Sequence, residues 1–274
     1  MEKIDRLGWA AGISFESYGV RVGVRANNRD ALRAAQEYFP PGWKCTPVTV
    51  VEKLYSLVLN ENREERRGVR RFNLLYGDIT RLARTRDSDE LLDLFASDLH
   101  LHIAEMAHRR VFVHAGVVSW KGQALLFPGR SYAGKTTLVT ELVKAGATYY
   151  SDEYAVLDSR GCVHPFARPL QIREGENGRQ KRYQIEELGG RAGVKPLRVR
   201  LVVISNYKAG TKWRPRQLSA GQSVLEMFAQ TVSARRQPEK ALMTLQKVAA
   251  QAIVLKGARG EAAETVDAIL KHLD

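Results

Sequence analysis

The sequence predicts an α/β protein in two parts, a small α/β domain over residues 1–108 and a larger α/β core over residues 109–274. Three observations carry this expectation. Short runs in which apolar residues alternate with period two mark half-buried strands. Beyond residue 110 such runs are interleaved with stretches of helical periodicity, the order expected of a sheet covered by helices, with room for some antiparallel pairing. A glycine-containing turn, Gly129 to Thr136, sits between an apolar run and a helical one.

In the first part, Ile13, Phe15, Val20, Val22 and Val24 alternate about Tyr18-Gly19 and predict a hairpin over 12–25. Asn28 suits the N-cap of a helix running to about Tyr38, and Pro40-Pro41-Gly42 breaks the chain after it. Residues 48–59 and 72–84 read as further strands, separated by the charged stretch Glu61–Arg71, a solvated loop. Ser88 is the expected N-cap of a helix in which Leu91, Leu92, Phe95, Leu99, Ile103 and Met106 recur at helical spacing, ending near Arg109-Arg110. His100, His102 and His108 fall on it. Residues two apart do not share a helix face, so His100 and His102 are expected to be structural rather than a metal pair.

The second part reads as strand 111–118, a turn at Lys121-Gly122, strand 123–127, and a helix from Gly134 to Ala145 stopped by Gly146. Strands at 148–158 and 198–205 follow, then helices near 219–234 and 238–250, strand 251–255 and a last helix at 260–272.

A chain of 274 residues can bury a sizeable core, and its 44% hydrophobic and 27% charged residues exclude a disordered or fibrous class. No apolar run approaches the ~20 residues of a membrane span. The start, Met1-Glu-Lys-Ile-Asp-Arg, leads into no apolar segment, so a secretory leader is not expected. Cys45 and Cys162 are too few for a disulfide framework or a zinc site of four cysteines. A cytoplasmic protein follows by elimination. Lys and Arg number 43 against 30 Asp and Glu, a net +13, which suits an anionic partner without choosing one.

The segment Gly129-Arg-Ser-Tyr-Ala-Gly134-Lys135-Thr136 fits G-x-x-x-x-G-K-[ST]. Glycines at its ends allow turns that point backbone N–H groups inward, and the following helix adds its positive end. The expected phosphate contacts are Gly129, Arg130, Ser131, Tyr132, Ala133, Gly134, Lys135, Thr136 and Thr137. Lys135 can reach the β- and γ-phosphates of ATP, and the Thr136 hydroxyl can ligate Mg²⁺.

Asp152 and Glu153 lie on the next expected strand, at an end that would stand beside the phosphates. One acid could hold Mg²⁺ and the other accept a proton from an incoming hydroxyl. Successive strand residues point to opposite faces, so both acids enter one site only if the strand ends or bends there. His114 lies on the strand before the loop strand. If the two strands are neighbours it could face Asp152, orienting the acid and tuning its proton affinity; taken alone, a strand histidine reads as a hydrogen-bonded core residue.

The run Val113-His114-Ala-Gly-Val, the loop, and Ser151-Asp152-Glu153 together resemble the catalytic domain of HPr kinase/phosphorylase and its relatives. That core is itself similar to nucleotide-dependent phosphoenolpyruvate carboxykinase. The resemblance covers about 111–160 and is patchy to 256. It implies a P-loop, carboxykinase-like kinase core; the small N-terminal α/β domain is read from its own pattern. Lys135 and Thr136 would bind ATP phosphates and Mg²⁺. Asp152, assisted by His114, would activate a serine hydroxyl, and Glu153 would be a metal-site acid where the family has a second aspartate. Arg235 and Arg236 would match an Arg-rich turn late in that domain and offer phosphate contacts. A downstream Glu-Ile-Arg-Gly-type signature is echoed by Gln171-Ile172-Arg173-Glu174-Gly175, and the first 108 residues lie outside the resemblance.

No acid occurs from Leu188 to Leu225, where Arg191, Lys195, Arg198, Arg200, Lys208, Lys212, Arg214 and Arg216 fall. This is most simply a solvated face, and it could also steer ATP or an acidic substrate. Only Tyr207 and Trp213 interleave it, too few for a base-stacking platform, so nucleic acid is not the expected partner. The expectation is an ATP- and Mg²⁺-dependent kinase acting on a hydroxyl, most simply serine, of a protein, peptide or small molecule. A homo-oligomer is compatible with it. A P-loop ATPase or a non-catalytic nucleotide-binding module acting with a nucleic-acid or protein partner is the alternative.

Overall fold

The structure is a computed structural model and describes residues 3–60, 71–130, 133–174 and 179–273. The protein is mixed α/β and divides into two compact units, Met1–His108 and Arg109–Asp274.

In the first unit β1 (Ala11–Ser17) and β2 (Val20–Ala26) form an antiparallel hairpin. Its turn places Tyr18 at φ 52° and Gly19 at φ 85°, the two left-handed positions of a hairpin turn matched to strand twist. Helix α1 (Arg29–Gln36) begins where the Asn28 side chain accepts from the Ala31 N–H. There follow β3 (Lys44–Cys45), β4 (Lys53–Val58), β5 (Asn73–Gly77), β6 (Thr80–Thr85) and α2 (Ser88–Met106). The strand order is β3-β1-β2-β4-β5-β6, and β2 runs parallel to β4 across α1. Phe15, Val22, Val24, Tyr55, Leu57 and Leu75 pack under Phe95, Leu99 and Ile103 of α2. Burying each such side chain contributes about 1.5–3 kcal/mol.

Several expectations change here. The expected strand 48–59 is limited to β4. The expected strand 72–84 is the hairpin β5–β6, reversed at Asp78, whose φ is 53°. The N-cap of α2 is Asp87, not Ser88: its carboxylate accepts from the N–H groups of Asp89 and Glu90. His108 lies beyond the end of the helix. His100 donates through Nε2 to the Tyr38 carbonyl at 2.9 Å, the contact of a buried structural histidine. Of the expected loop Glu61–Arg71, residues 61–70 lie outside the described residues.

The second unit runs β7 (Val111–Trp120), β8 (Gln123–Pro128), α3 (Lys135–Lys144), β9 (Thr148–Ser151), β10 (Tyr154–Leu157), β11 (Cys162–His164), β12 (Leu170–Glu174), β13 (Arg179–Tyr183), β14 (Leu197–Tyr207), β15 (Arg216–Gln217), α4 (Ala220–Phe228), α5 (Pro238–Gln251), β16 (Ile253–Arg259) and α6 (Ala262–Leu270). Its main sheet has the order β11-β10-β7-β8-β14-β16-β15, with β9 also on β7. Strands β8, β14 and β16 are parallel, so their carboxyl ends share one edge. One apolar cluster includes Val224 and Met227 of α4 and Ala241, Leu245 and Val248 of α5. The other includes Leu138, Val139 and Leu142 of α3 and Val266 and Ile269 of α6. Helices therefore cover both faces of the sheet.

The expected strand 148–158 is broken into β9 and β10. The helix expected over 219–234 stops at Phe228, and a separate 3-10 turn, Val232–Arg235, follows. The strand expected at 251–255 continues to Arg259. Strands β11, β12, β13 and β15 were not expected; they are short, and most lie in polar sequence.

Gly116 of β7 fixes how closely α3 approaches the sheet. A Cβ there would stand 2.7 Å from Val139 Cγ2 and 3.7 Å from Lys135 Cβ. Gly116→Ala is expected to destabilise by about 1–3 kcal/mol, the usual cost of overpacking. Gly116→Ala combined with Val139→Ala should be more stable than the sum of the two single changes allows, measured by denaturant unfolding of all four proteins. Strict additivity would show that this contact does not seat α3.

Candidate active site

The loop after β8 is anchored at both ends. The Gly129 N–H donates to the His114 carbonyl at 3.1 Å, and the Ala133 N–H to the Arg130 carbonyl at 3.2 Å. Gly134 takes φ 75°, a left-handed conformation that turns the chain into α3 and makes it the helix N-cap. Gly129 does not adopt a positive φ. Its missing side chain instead leaves room for Ala133, whose Cβ would stand 3.2 Å from an added one. Lys135 is buried, and its Nζ donates to the carbonyls of Gly129 at 2.9 Å and Arg130 at 2.8 Å. Burial lowers the Lys135 pKa, while the negative charges of Asp152 and Glu153 oppose that shift. Thr136 is half-buried and Thr137 exposed; Ser131 and Tyr132 lie outside the described residues.

The acids stand where the strand breaks. Strand β7 pairs with β9 through Val117–Ser119 and with β10 through Val111–His114, so Asp152 and Glu153 bend out between two strands on one side of β7. The buried Ser151 Oγ holds the bend by accepting from the N–H groups of Glu153 at 3.2 Å and Tyr154 at 3.0 Å. The bend frees the two carboxylates from strict alternation. Thr136 Oγ1 donates to Asp152 Oδ2 at 3.1 Å, joining the first turn of α3 to the acid. The Tyr149 hydroxyl lies 3.0 Å from Asp152 Oδ1 and 3.1 Å from the Arg168 carbonyl. Burial first, and then Asp152, keep the Tyr149 pKa well above its usual value, so it remains a donor. Glu153 forms a close ion pair with the Arg168 guanidinium. Burial works against the Arg168 charge, but Glu153 and Asp152 outweigh it and raise the pKa.

His114 joins this arrangement differently from the expectation. Its Nδ1 donates to the Glu153 backbone carbonyl at 2.9 Å, and that carbonyl also accepts from the Ala115 N–H at 3.0 Å. The Asp152 carboxylate is held by Thr136 and Tyr149, not by the imidazole. The cause is strand register, which pairs His114 with Tyr154 and lays the two rings 5.5 Å apart. Burial lowers the His114 pKa, with the Lys135 charge second. His114 therefore steadies the bend that presents Asp152.

Arg235 and Arg236 are exposed, at and just after the end of the 3-10 turn Val232–Arg235. Their segment is docked on β7 nearby: the His114 N–H donates to the Gln230 carbonyl at 2.8 Å, and Thr231 bridges Val113. The eight basic residues between Arg191 and Arg216 are all exposed. Three contributors were not foreseen. Tyr149 and Ser151 stood beside the acids in the sequence, where a hydroxyl next to an Asp-Glu pair was the available signal. Arg168 follows no local pattern.

Hard oxygen donors suit Mg²⁺, and a nucleotide-bound Mg²⁺ needs only one or two of them from the protein besides phosphates and water. Thr136 Oγ1 and Asp152 Oδ2, already 3.1 Å apart, fit that requirement. Glu153 is committed to Arg168. Among the described residues, no group of three or more His, Cys, Asp or Glu side chains gathers as a metal site built by protein alone. No described helix is long and apolar enough to cross a membrane.

Burial lowers the folded-state pKa of His114 below the ordinary value near 6.5, so protonation favours the unfolded chain. Its contribution is present at neutral pH and is lost as pH falls from about 6.5 toward the folded pKa. His114→Gln should flatten this part of the stability–pH curve; an unchanged slope in denaturant titrations from pH 7.5 to 5 would contradict it. No protein-family model matches the chain, and no curated protein matches it.

Proposed function

We propose that the protein is an ATP- and Mg²⁺-dependent kinase with a P-loop, carboxykinase-like core resembling HPr kinase/phosphorylase, and that it transfers the γ-phosphoryl group to a hydroxyl. The observation that carries this reading is the 3.1 Å contact of Thr136 with Asp152, which sets a carboxylate at the mouth of a phosphate-loop sequence. A module that only captured nucleotide would use that acid for the cation alone, whereas transfer to a hydroxyl also needs it as a base.

In this reading the loop N–H groups, the start of α3 and Lys135 receive the phosphates. Lys135 would exchange the Gly129 and Arg130 carbonyls for phosphate oxygens, a stronger set of acceptors for an ammonium. Thr136 and Asp152 would hold the Mg²⁺ that accompanies ATP, which neutralises phosphate charge. Asp152 takes the proton of the attacking hydroxyl, positioned by Tyr149 on one oxygen and Thr136 on the other. Glu153, paired with Arg168, helps hold the bend that presents Asp152. Positioning and electrostatics dominate catalysis of this class. The exposed basic surface between Arg191 and Arg216 would guide an anionic substrate. The acceptor is a serine-like hydroxyl on a protein, peptide or small molecule.

Asp152→Asn is expected to lower turnover roughly 10²–10⁴-fold, the range for a lost general base, while ATP affinity largely survives. Lys135→Ala should weaken ATP binding and abolish transfer. The assay is γ-labelled ATP added to the purified protein with a lysate of its own host. Label passing to a hydroxyl-bearing product supports the kinase. Label released only as inorganic phosphate supports an ATPase, and wild-type turnover in Asp152→Asn removes the assigned base.

A further inference from the structure

Arg259, the last residue of β16, is 2% exposed. Its Nη1 donates to the Gly260 carbonyl and its Nη2 to the Gly134 carbonyl, both at 3.0 Å. The second bond reaches the residue that caps α3. Strands β8, β14 and β16 are parallel, so Arg259 and the loop leave the sheet at the same edge. A Cβ on Gly134 would lie 2.5 Å from Nη2, so the glycine and the guanidinium occupy one tight joint.

The charge at that joint is poorly compensated. Its buried Nε has no partner, and the acid that acts on it, Glu261, opposes the effect of burial without forming an ion pair among the described residues and accepts from the Tyr207 hydroxyl. The Tyr207 ring, 5.8 Å away, offers only a weak cation–π contact. A buried charge is costly unless paired. Here it also stands beside a helix N-terminus, which is itself electropositive. Placing cation against positive dipole is unfavourable in the protein alone and favourable once an anion bridges them.

We infer that Arg259 is a positioning residue for polyphosphate. It holds the left-handed turn at Gly134 that opens α3, and its charge is matched by the phosphates of a bound nucleoside di- or triphosphate. This rests on the reading of Gly129–Thr136 as a phosphate loop and adds a cationic support that the motif does not contain.

The test is calorimetric titration of AMP, ADP and ATP, with Mg²⁺, into the full chain as wild type, Arg259→Ala and Arg259→Lys, with the thermal midpoint of each. Wild-type affinity should rise with each phosphate. Arg259→Ala should lose roughly 10–100-fold for ATP, the worth of a charge-assisted hydrogen bond, and change AMP by no more than about twofold. Arg259→Lys should restore part of the ATP-to-AMP ratio, because it keeps the charge and loses the fork. Equal losses for all three nucleotides would mark a merely structural residue and overturn the inference, as would unchanged affinities. Should Arg259→Ala fail to fold, Arg259→Lys decides alone: a wild-type ATP-to-AMP ratio overturns the inference, and a ratio reduced by about threefold or more supports it. A wild type that binds none of the three refutes the phosphate-loop reading itself, and the inference with it.

Discussion

The bend at Asp152–Glu153 is the constraint on which the candidate site depends. A continuous strand sends neighbouring side chains to opposite faces, so two adjacent acids on it could not both serve one site. Ser151 removes that constraint by capping the N–H groups of Glu153 and Tyr154 with its hydroxyl. Strand β7 then holds both halves of the broken strand, and the Glu153 carbonyl is fastened by His114 and Ala115. Each of these contacts replaces a ladder hydrogen bond that the break would otherwise leave unmade. Asp152 reaches Thr136 because of them.

Around the bend, opposite charges are placed in alternation at low solvent exposure. Lys135 and Arg259 approach the turn into α3, Asp152 and Glu153 act on Lys135 from the bend, Glu261 acts on Arg259, and Arg168 pairs with Glu153. Burial lowers the Lys135 pKa, and the charges of Asp152 and Glu153 oppose that shift. The arrangement resists collapse into simple ion pairs because Arg168 takes Glu153 while Lys135 and Arg259 bond backbone carbonyls. Two cations from separate parts of the chain thus bond backbone carbonyls, with carboxylates acting on them, beside a helix N-terminus, which is the electrostatic setting on which the proposed phosphate site rests.

What was legible in the sequence was contiguous. The hairpin at Tyr18-Gly19, the Asn28 cap, the loop setting between β8 and α3, and the acid pair could each be read from a few adjacent residues. The pairing partner of His114 was not legible, because it follows from the register of β7 against β10, set by packing across the sheet. Arg168 and Arg259 were missed for the same reason: each meets its partner at a distance in sequence, and neither sits in a recurring pattern. The end of β16 was placed too early because Lys256-Gly257 interrupts its apolar run. The structure continues the strand there, with Gly257 leaving space for Trp213, whose ring would stand 3.3 Å from an added Cβ. In the first unit, Asp78 reverses the chain inside what composition alone presents as one strand.

A crystal structure with Mg²⁺ and a non-hydrolysable ATP analogue is the decisive measurement. It should place the terminal phosphates over the N-terminus of α3, Lys135 turned from the Gly129 and Arg130 carbonyls to phosphate oxygen, and the cation beside Thr136 and Asp152. Phosphates bound elsewhere, or a cation remote from both residues, would contradict the proposed site.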